Sequence, residues 1–414
     1  MTILETYLAR TPASAEIGPR AERVMPAGET RAAGYHAPYP LTLARALGTR
    51  TWDLDGNEYF DLNYNYTSLV HGHGYAPILE TVERVIREGT AWPARNLHQV
   101  ELAELIVDRV ASVDLVRFCN SGSEAAMLAL LIARTATGRR KVLMARHGYH
   151  GSHEAFLHGG GGAPGDWPDT ILAPFGDADA FEAVLAEHGD EIAAVFLEPA
   201  QGGVFTAPAE FFRRVQAATT KAGAVFVLDE VITFRQSTGG MQKYLGLNPD
   251  LTMFGKIIGG GFPVGAVGGR RDLMENLDPR RAIINHSGTF NGNPVTAAAG
   301  VVSVRELTAE RIAIMAGQAE ELEGKLQASA ARRNLPMTTR REGSLLGVSF
   351  TRGELSPRGG PNPLATNFHL AGLNRGLYFS SRGLLVLPSI LAEGDLAELA
   401  DRFDAVLEDV ASEA

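Results

Sequence analysis

Ala224-Val-Phe-Val-Leu-Asp-Glu230 and Leu251-Thr-Met-Phe-Gly-Lys256 are short apolar runs that end abruptly in charge. Short, mostly β-branched or aliphatic runs without polar alternation are the pattern of strands buried on both faces, as in a parallel sheet. The same texture recurs at 116–119, 141–145 and 193–197, with helical stretches at 123–137 and 210–222 between them. Strands alternating with helices predict an α/β fold around a parallel sheet. Beyond residue 300 the texture changes to long helices over 311–332 and 394–412 around a few strands, with a Gly/Pro-rich loop at 353–363. This divides the chain into an N-terminal segment over 1–45, a large domain over 46–300 and a C-terminal domain over 301–414. No internal repeat is visible, and residues 159–162 are a short glycine tract.

In open α/β sheets, ligands bind beyond the carboxyl ends of the strands. There the chain places Glu198-Pro-Ala-Gln201, Asp229-Glu230 and Gly255-Lys256. Lys256 lies between Phe254-Gly255 and Ile257-Ile-Gly-Gly-Gly261 and has almost no polar company in sequence. Desolvation lowers a lysine's pKa and yields the neutral amine that Schiff-base chemistry needs, so Lys256 is a candidate covalent residue.

Asn120-Ser-Gly-Ser-Glu124 joins a strand to a helix. Ser121 and Glu124 have the spacing of a capping box, a role that needs no ligand. The same Gly/Ser turn presents backbone N–H groups and a positive dipole end, which suits a phosphate equally well. His147-Gly-Tyr-His150-Gly-Ser-His153 invites a metal reading, but no Cys or carboxylate cluster supplies further ligands at typical spacing. Within it Tyr149 offers a flat face to an aromatic ring. The triple glycine 259–261 is not followed by dinucleotide spacing, which leaves a nicotinamide site weakly supported.

The composition narrows the partners. The chain has 414 residues, 45% of them hydrophobic and 46 of them glycine, so a large core with many tight turns is expected. The net charge of −10 comes without a basic stripe, which argues against nucleic acid and anionic membrane. Cys119 is the lone cysteine, so no internal disulfide can form, and a reducing cytoplasm is expected. The apolar run 257–269 is too short for a bilayer and holds six glycines. No long apolar segment follows the N-terminus.

In this order and spacing, Asn120-Ser-Gly-Ser-Glu-Ala125, Gly148-Tyr-His-Gly151, Leu197-Glu-Pro-Ala-Gln-Gly202, Leu228-Asp-Glu-Val-Ile-Thr-Phe-Arg235, 255–265 and His286-Ser-Gly-Thr-Phe-Asn-Gly-Asn-Pro294 form a specific set. Over nearly its whole length the chain resembles the class III pyridoxal 5'-phosphate (PLP) aminotransferases. It is most similar to the subgroup that holds glutamate-1-semialdehyde aminomutase and the β-phenylalanine aminotransferases. The resemblance implies fold type I, with a mainly parallel seven-stranded sheet in a large domain and a smaller α+β domain built from both termini. It implies that Lys256 bonds the cofactor and then moves the proton, and that Asp229 pairs with the pyridine nitrogen. Gly122 and Ser123 would hold the phosphate, Tyr149 and Val231 would cover the two ring faces, and Glu198 and Gln201 would line the ring's oxygen side. Thr289 would reach the phosphate of a neighbouring subunit, which makes the expected unit a homodimer with shared sites.

Met25-Pro-Ala-Gly28, Arg31 and Ala37-Pro-Tyr-Pro-Leu41 resemble the β-phenylalanine enzymes, in which the arginine at this position takes the substrate carboxylate. Ser380-Ser-Arg-Gly-Leu-Leu-Val-Leu387 resembles their second arginine segment, with Arg382 in the arginine's place but without the usual preceding proline. Aminomutases carry an acidic residue in this segment, and none occurs over 379–391. The expected activity is transfer of an amino group from a β-amino acid, aromatic ones included, to an α-keto acid such as 2-oxoglutarate or pyruvate. Two alternatives stand beside it. An intramolecular aminomutase or racemase would need no added keto acid, and a non-catalytic cofactor-binding protein is opposed by the intact Lys256 and Asp229.

Overall fold

The computed structural model describes residues 1–157, 168–351 and 362–413. The glycine tract 159–162 and residues 353–361 of the Gly/Pro-rich loop lie outside them. Two compact units result, one made of 76–309 and the other of 1–75 with 310–414.

The larger unit is built on seven strands: β1 (Leu115–Cys119), β2 (Lys141–Ala145), β3 (Thr170–Ala173), β4 (Ile192–Leu197), β5 (Val225–Asp229), β6 (Leu251–Gly255) and β7 (Gly265–Gly269). Their order is β1-β7-β6-β5-β4-β2-β3, and every pair is parallel except those that β7 makes with β1 and β6. β4, β5 and β6 are buried at every residue, as continuous apolar runs require. The helix Gly122–Thr137 buries Ala125, Leu128, Ala129, Ile132 and Ala133 against one face, with Phe196, Val227 and Met253 in the same core. Phe181, Phe211 and Phe212 cover the other face, with Val195, Phe226 and Leu228.

β7 carries glycine at three of its five positions because its neighbours leave no room. A Cβ on Gly265 would run into the Ser121 carbonyl oxygen and the Cys119 sulfur. The strand is glycine-rich because it passes directly beneath the turn that opens the helix Gly122–Thr137.

In the smaller unit an antiparallel meander (Leu43–Leu47, Arg50–Asp53, Glu58–Asp61) continues into Leu377–Tyr378, which pairs with Glu58–Asp61 in parallel. This pairing groups residues 46–75 with the terminal unit, whereas the sequence boundary had been expected at 45. A second sheet of Met337–Glu342, Leu345–Phe350 and Leu384–Val386 shares a core with the helices Ala309–Arg332, Pro363–Asn374 and Glu393–Ser412. Among the described residues, no helix is long and apolar enough to cross a membrane.

Candidate active site

β5 and β6 are parallel neighbours, with Asp229 the last residue of one and Lys256 directly after the other. The same edge therefore receives an acid and an amine. Lys256 sits at φ +49°, the left-handed region, as the chain turns from strand into the short turn Lys256–Gly259. Such backbone strain persists in a folded protein only where its surroundings over-determine it. Burial pulls the Lys256 ammonium down to about 8, although the Asp229 and Glu198 carboxylates pull the other way. The charge of Arg235, itself fully buried, adds to the lowering.

Glu198 follows β4 and is buried, which pushes its carboxyl up to about 7. Its Oε2 accepts from the Tyr149 amide at 2.9 Å. Gln201, the last residue of the two-residue strand Ala200–Gln201, is buried and its Nε2 donates to the Arg146 carbonyl at 2.9 Å. The segment between Tyr149 and Ser152 is thus tied to several elements. Its His150 Nδ1 lies 2.8 Å from Asp229 Oδ2, and the Ser152 amide donates to Ser123 Oγ at 3.1 Å. Tyr149 stands among these ties with 58% of its surface exposed.

At the start of the helix Gly122–Thr137, Ser121 Oγ accepts from the Glu124 amide at 3.1 Å. The expected capping box is only half formed. The Glu124 carboxylate instead accepts from the amide and side chain of Asn120, at 2.7 and 3.1 Å. The helix's first amides have no partner within the helix, and the dipole adds positive potential there. Val231 reaches this point from the far side. A Cβ on Gly122 would stand 3.5 Å from its methyls, and one on Gly255 would stand 3.3 Å away. One small side chain thus separates the helix start from the segment bearing the lysine. The other Asp229 oxygen accepts from the Val231 amide at 3.0 Å.

A partly neutral amine, an anion seat and a buried carboxylate are gathered here by five elements. The model of the aminotransferase class-III family matches residues 31–407. The chain belongs to the class III aminotransferases. It is 37% identical over 397 residues to the β-phenylalanine transaminase of Variovorax paradoxus, covering 93% of this chain and 89% of that one. It is 35% identical over 366 residues to the glutamate-1-semialdehyde 2,1-aminomutase of Caldivirga maquilingensis, covering 83% and 85%. A transaminase solved with PLP bound superposes with a TM-score of 0.91 at 30% identity, covering 97% of this chain and 99% of that one.

This aminotransferase is PLP-dependent, and the donor set fits that group. An aldehyde needs an amine that is neutral near physiological pH, a phosphate needs unsatisfied N–H groups, and a protonated ring nitrogen needs a buried carboxylate. Lys256, the turn 121–123 and Asp229 are of those chemical types.

The structure also shows what sequence reading passed over. His150 is fully buried, walled by Phe156 and Phe196 at 5.7 and 5.6 Å between ring centroids, and its Nε2 has no partner among the described residues. Burial opposes its protonation, but the Asp229 hydrogen bond and the nearby carboxylates outweigh this and raise its pKa. It orients Asp229. Its signal was its place between Tyr149 and Gly151, masked by the two flanking histidines that share its spacing. Arg235 stood in a quoted motif without a role. Among the described residues no group of His, Cys, Asp and Glu could hold a metal. Arg31 and Arg382 belong to the smaller unit and are exposed, as is Thr289 in the larger one.

Proposed function

We propose that this aminotransferase takes the amino group of a β-amino acid, aromatic ones included, and passes it to an α-keto acid such as 2-oxoglutarate or pyruvate. The observation that carries the reading is the state of Arg31. Its guanidinium is held by the neutral Asn65 side chain at 2.9 Å and by the Tyr66 ring, 5.4 Å to the centroid. No carboxylate pairs with it among the described residues, so its charge is kept for an anion that arrives. A β-amino acid carries its carboxylate one carbon further from the amine than an α-amino acid does, which calls for a cation off the sheet. The similarity to a β-phenylalanine transaminase supports the same donor class.

When bound, PLP supplies an electrophilic carbon and an electron sink for a carbanion. In this reading Lys256 would hold the cofactor and, once free, would take the proton from the reacting carbon and return it, which a pKa near 8 suits. Asp229, fixed by His150, keeps the ring nitrogen protonated. Gly122 and Ser123 would hold the phosphate, and Tyr149 and Val231 would cover the two ring faces. Glu198 and Gln201 border the ring oxygen. Arg382 takes a carboxylate of the keto acid.

A homodimer, with Thr289 serving the partner's phosphate, belongs to the same reading. It draws support from exposed apolar residues on the larger unit: Leu97 at 76%, Phe290 at 60%, and Met127 and Leu131 a turn apart on the helix Gly122–Thr137. A cytoplasmic site of action accords with the lone, buried Cys119.

The test is the amino-donor half-reaction under single-turnover conditions. Arg31→Ala should slow it with β-phenylalanine by about 30-fold to several thousand-fold, the cost of truncating a hydrogen-bonded charge partner. Arg382→Ala should act mainly on the keto-acid half. An Arg31→Ala rate within threefold of the parent would end the β-amino acid reading.

A further inference from the structure

Four consecutive non-glycine residues occupy the left-handed region: Tyr64 at φ +46°, Asn65 at +50°, Tyr66 at +56° and Thr67 at +75°. L-residues visit this region singly, Asn most readily, and aromatic residues there are outliers. The turn is tightly over-determined from below. Asp61 Oδ1 accepts from the amides of Asn63 and Tyr64 at 2.7 and 2.9 Å, and Asn63 Oδ1 accepts from the Tyr66 amide at 2.6 Å. His73 Nε2 lies 2.6 Å from the other Asp61 oxygen. Tyr64 and Thr67 point inward and are buried, whereas Asn65 is exposed and Tyr66 half-buried.

The outward pair serves no core. Asn65 Oδ1 accepts from Arg31 Nη1, and the Tyr66 ring faces the same guanidinium. The Tyr66 hydroxyl feels the charges of Arg31, Glu29 and Arg382 together. A Cβ on Gly34 would stand 3.1 Å from Glu29 Oε2 and 3.4 Å from the Tyr66 hydroxyl, so these two groups close on one point beside a residue with no side chain. A contact between an exposed arginine and a neutral amide adds little stability, because water competes for the same donors. What it fixes is direction. An arginine has five N–H donors in a rigid fork, and holding one leaves the rest aimed.

We propose that the left-handed turn Tyr64–Thr67 is a positioning device that holds Arg31 in one orientation toward the donor's carboxylate, with Asn65 as its essential contact. Neutrality is part of the design, since an amide steers the guanidinium without consuming its charge. This rests on the reading that Arg31 is the carboxylate anchor.

The discriminating variants are Asn65→Gly and Asn65→Asp, both of which tolerate left-handed φ. Holoenzyme would be mixed with β-phenylalanine, and the half-reaction fitted for apparent Kd and limiting rate, with Tm measured alongside. Asn65→Gly should raise the apparent Kd by about tenfold, the weight of one hydrogen bond to a charged group, with the limiting rate within threefold. Asn65→Asp keeps the shape and the acceptor that faces Arg31, and loses only the Nδ2 donor to Ser68 Oγ at 3.1 Å, so a merely structural contact with Arg31 would be rescued by it. As a steering contact it should fail there too, because the new carboxylate neutralises Arg31 and competes with the substrate while Tm holds. The keto-acid half-reaction should be unchanged in both. If Asn65→Asp restores parental Kd, or both variants stay within twofold while Arg31→Ala does not, the positioning role is wrong and the anchor survives. If the parent does not react with β-phenylalanine, or Arg31→Ala matches it, the anchor reading fails and takes this inference with it.

Discussion

Replacing Asp229 by Asn keeps the side chain's shape and removes its charge, at a residue only 6% exposed. Two consequences can be separated. The carboxylate accepts from His150 on one oxygen and from the Val231 amide on the other. An amide has a single acceptor, so one of these donors would face an NH2 group, at a cost of about 1–3 kcal/mol for an unsatisfied buried group. This term weakens the folded site and falls on Tm. The second term is the lost counter-charge to the protonated ring nitrogen, about 3–5 kcal/mol by the measure of a broken buried ion pair. At about 1.4 kcal/mol per tenfold, turnover should drop by roughly 140-fold to several thousand-fold. Lys256 loses one of the two carboxylates that raise its pKa, so it should titrate below about 8; because it must be neutral to take the proton, the acidic limb of the pH profile should move to lower pH. PLP should be retained much better than turnover, since the helix start at Gly122, proposed to hold the phosphate, and the lysine are untouched. Single-turnover absorbance and cofactor content after dialysis measure the two separately. Turnover within tenfold of the parent would refute Asp229 as the electrostatic partner of the ring.

Gly265→Ala should push the Ser121 carbonyl aside and lower both stability, by about 1–3 kcal/mol, and PLP affinity; Gly317→Ala, in a helix with open space at the Cβ, should stabilise by about 0.5–1 kcal/mol. Tm and equilibrium dialysis would show whether the two glycines differ in this way. His369 is buried, with neither ring nitrogen partnered among the described residues, and lies edge-on to His36 at 4.6 Å between centroids; burial lowers the pKa of both below 6.5. Below pH 6.5 the unfolded chain therefore takes up protons that the folded chain refuses, so stability falls with pH by up to about 1.4 kcal/mol per unit for each histidine. In His369→Phe, whose ring would join Phe379, the fall between pH 6.5 and 5.5 should be shallower. Parallel stability curves would contradict that assignment.

The strands that bear chemistry were legible in the sequence because each is apolar throughout and stops at a charge. β2, β4, β5 and β6 begin and end within a residue of the expected positions, and Lys256, Asp229 and Glu198 stand where strand ends should place them. β7 was not legible, since Gly265-Ala-Val-Gly-Gly269 has little strand propensity and exists to pass beneath the Ser121 turn. The boundary near residue 45 missed the meander because its membership is set by a distant partner, Leu377–Tyr378. His150 escaped for a similar reason. Its burial is decided by Phe156 and Phe196, which the fold brings to it from outside its own motif. The turn Tyr64–Thr67 leaves no trace in local propensity, because the side chains of Asp61 and Asn63 help to hold a run of left-handed residues that propensity disfavours.

The central claim is that Lys256 is the residue to which this aminotransferase attaches PLP. Borohydride reduction of the holoenzyme fixes the cofactor on whichever amine holds it, and digestion with mass mapping then locates it. The account predicts a single stoichiometric label on the peptide containing Gly255-Lys256-Ile257. A label on any other lysine, or none on Lys256 in an active preparation, would contradict it.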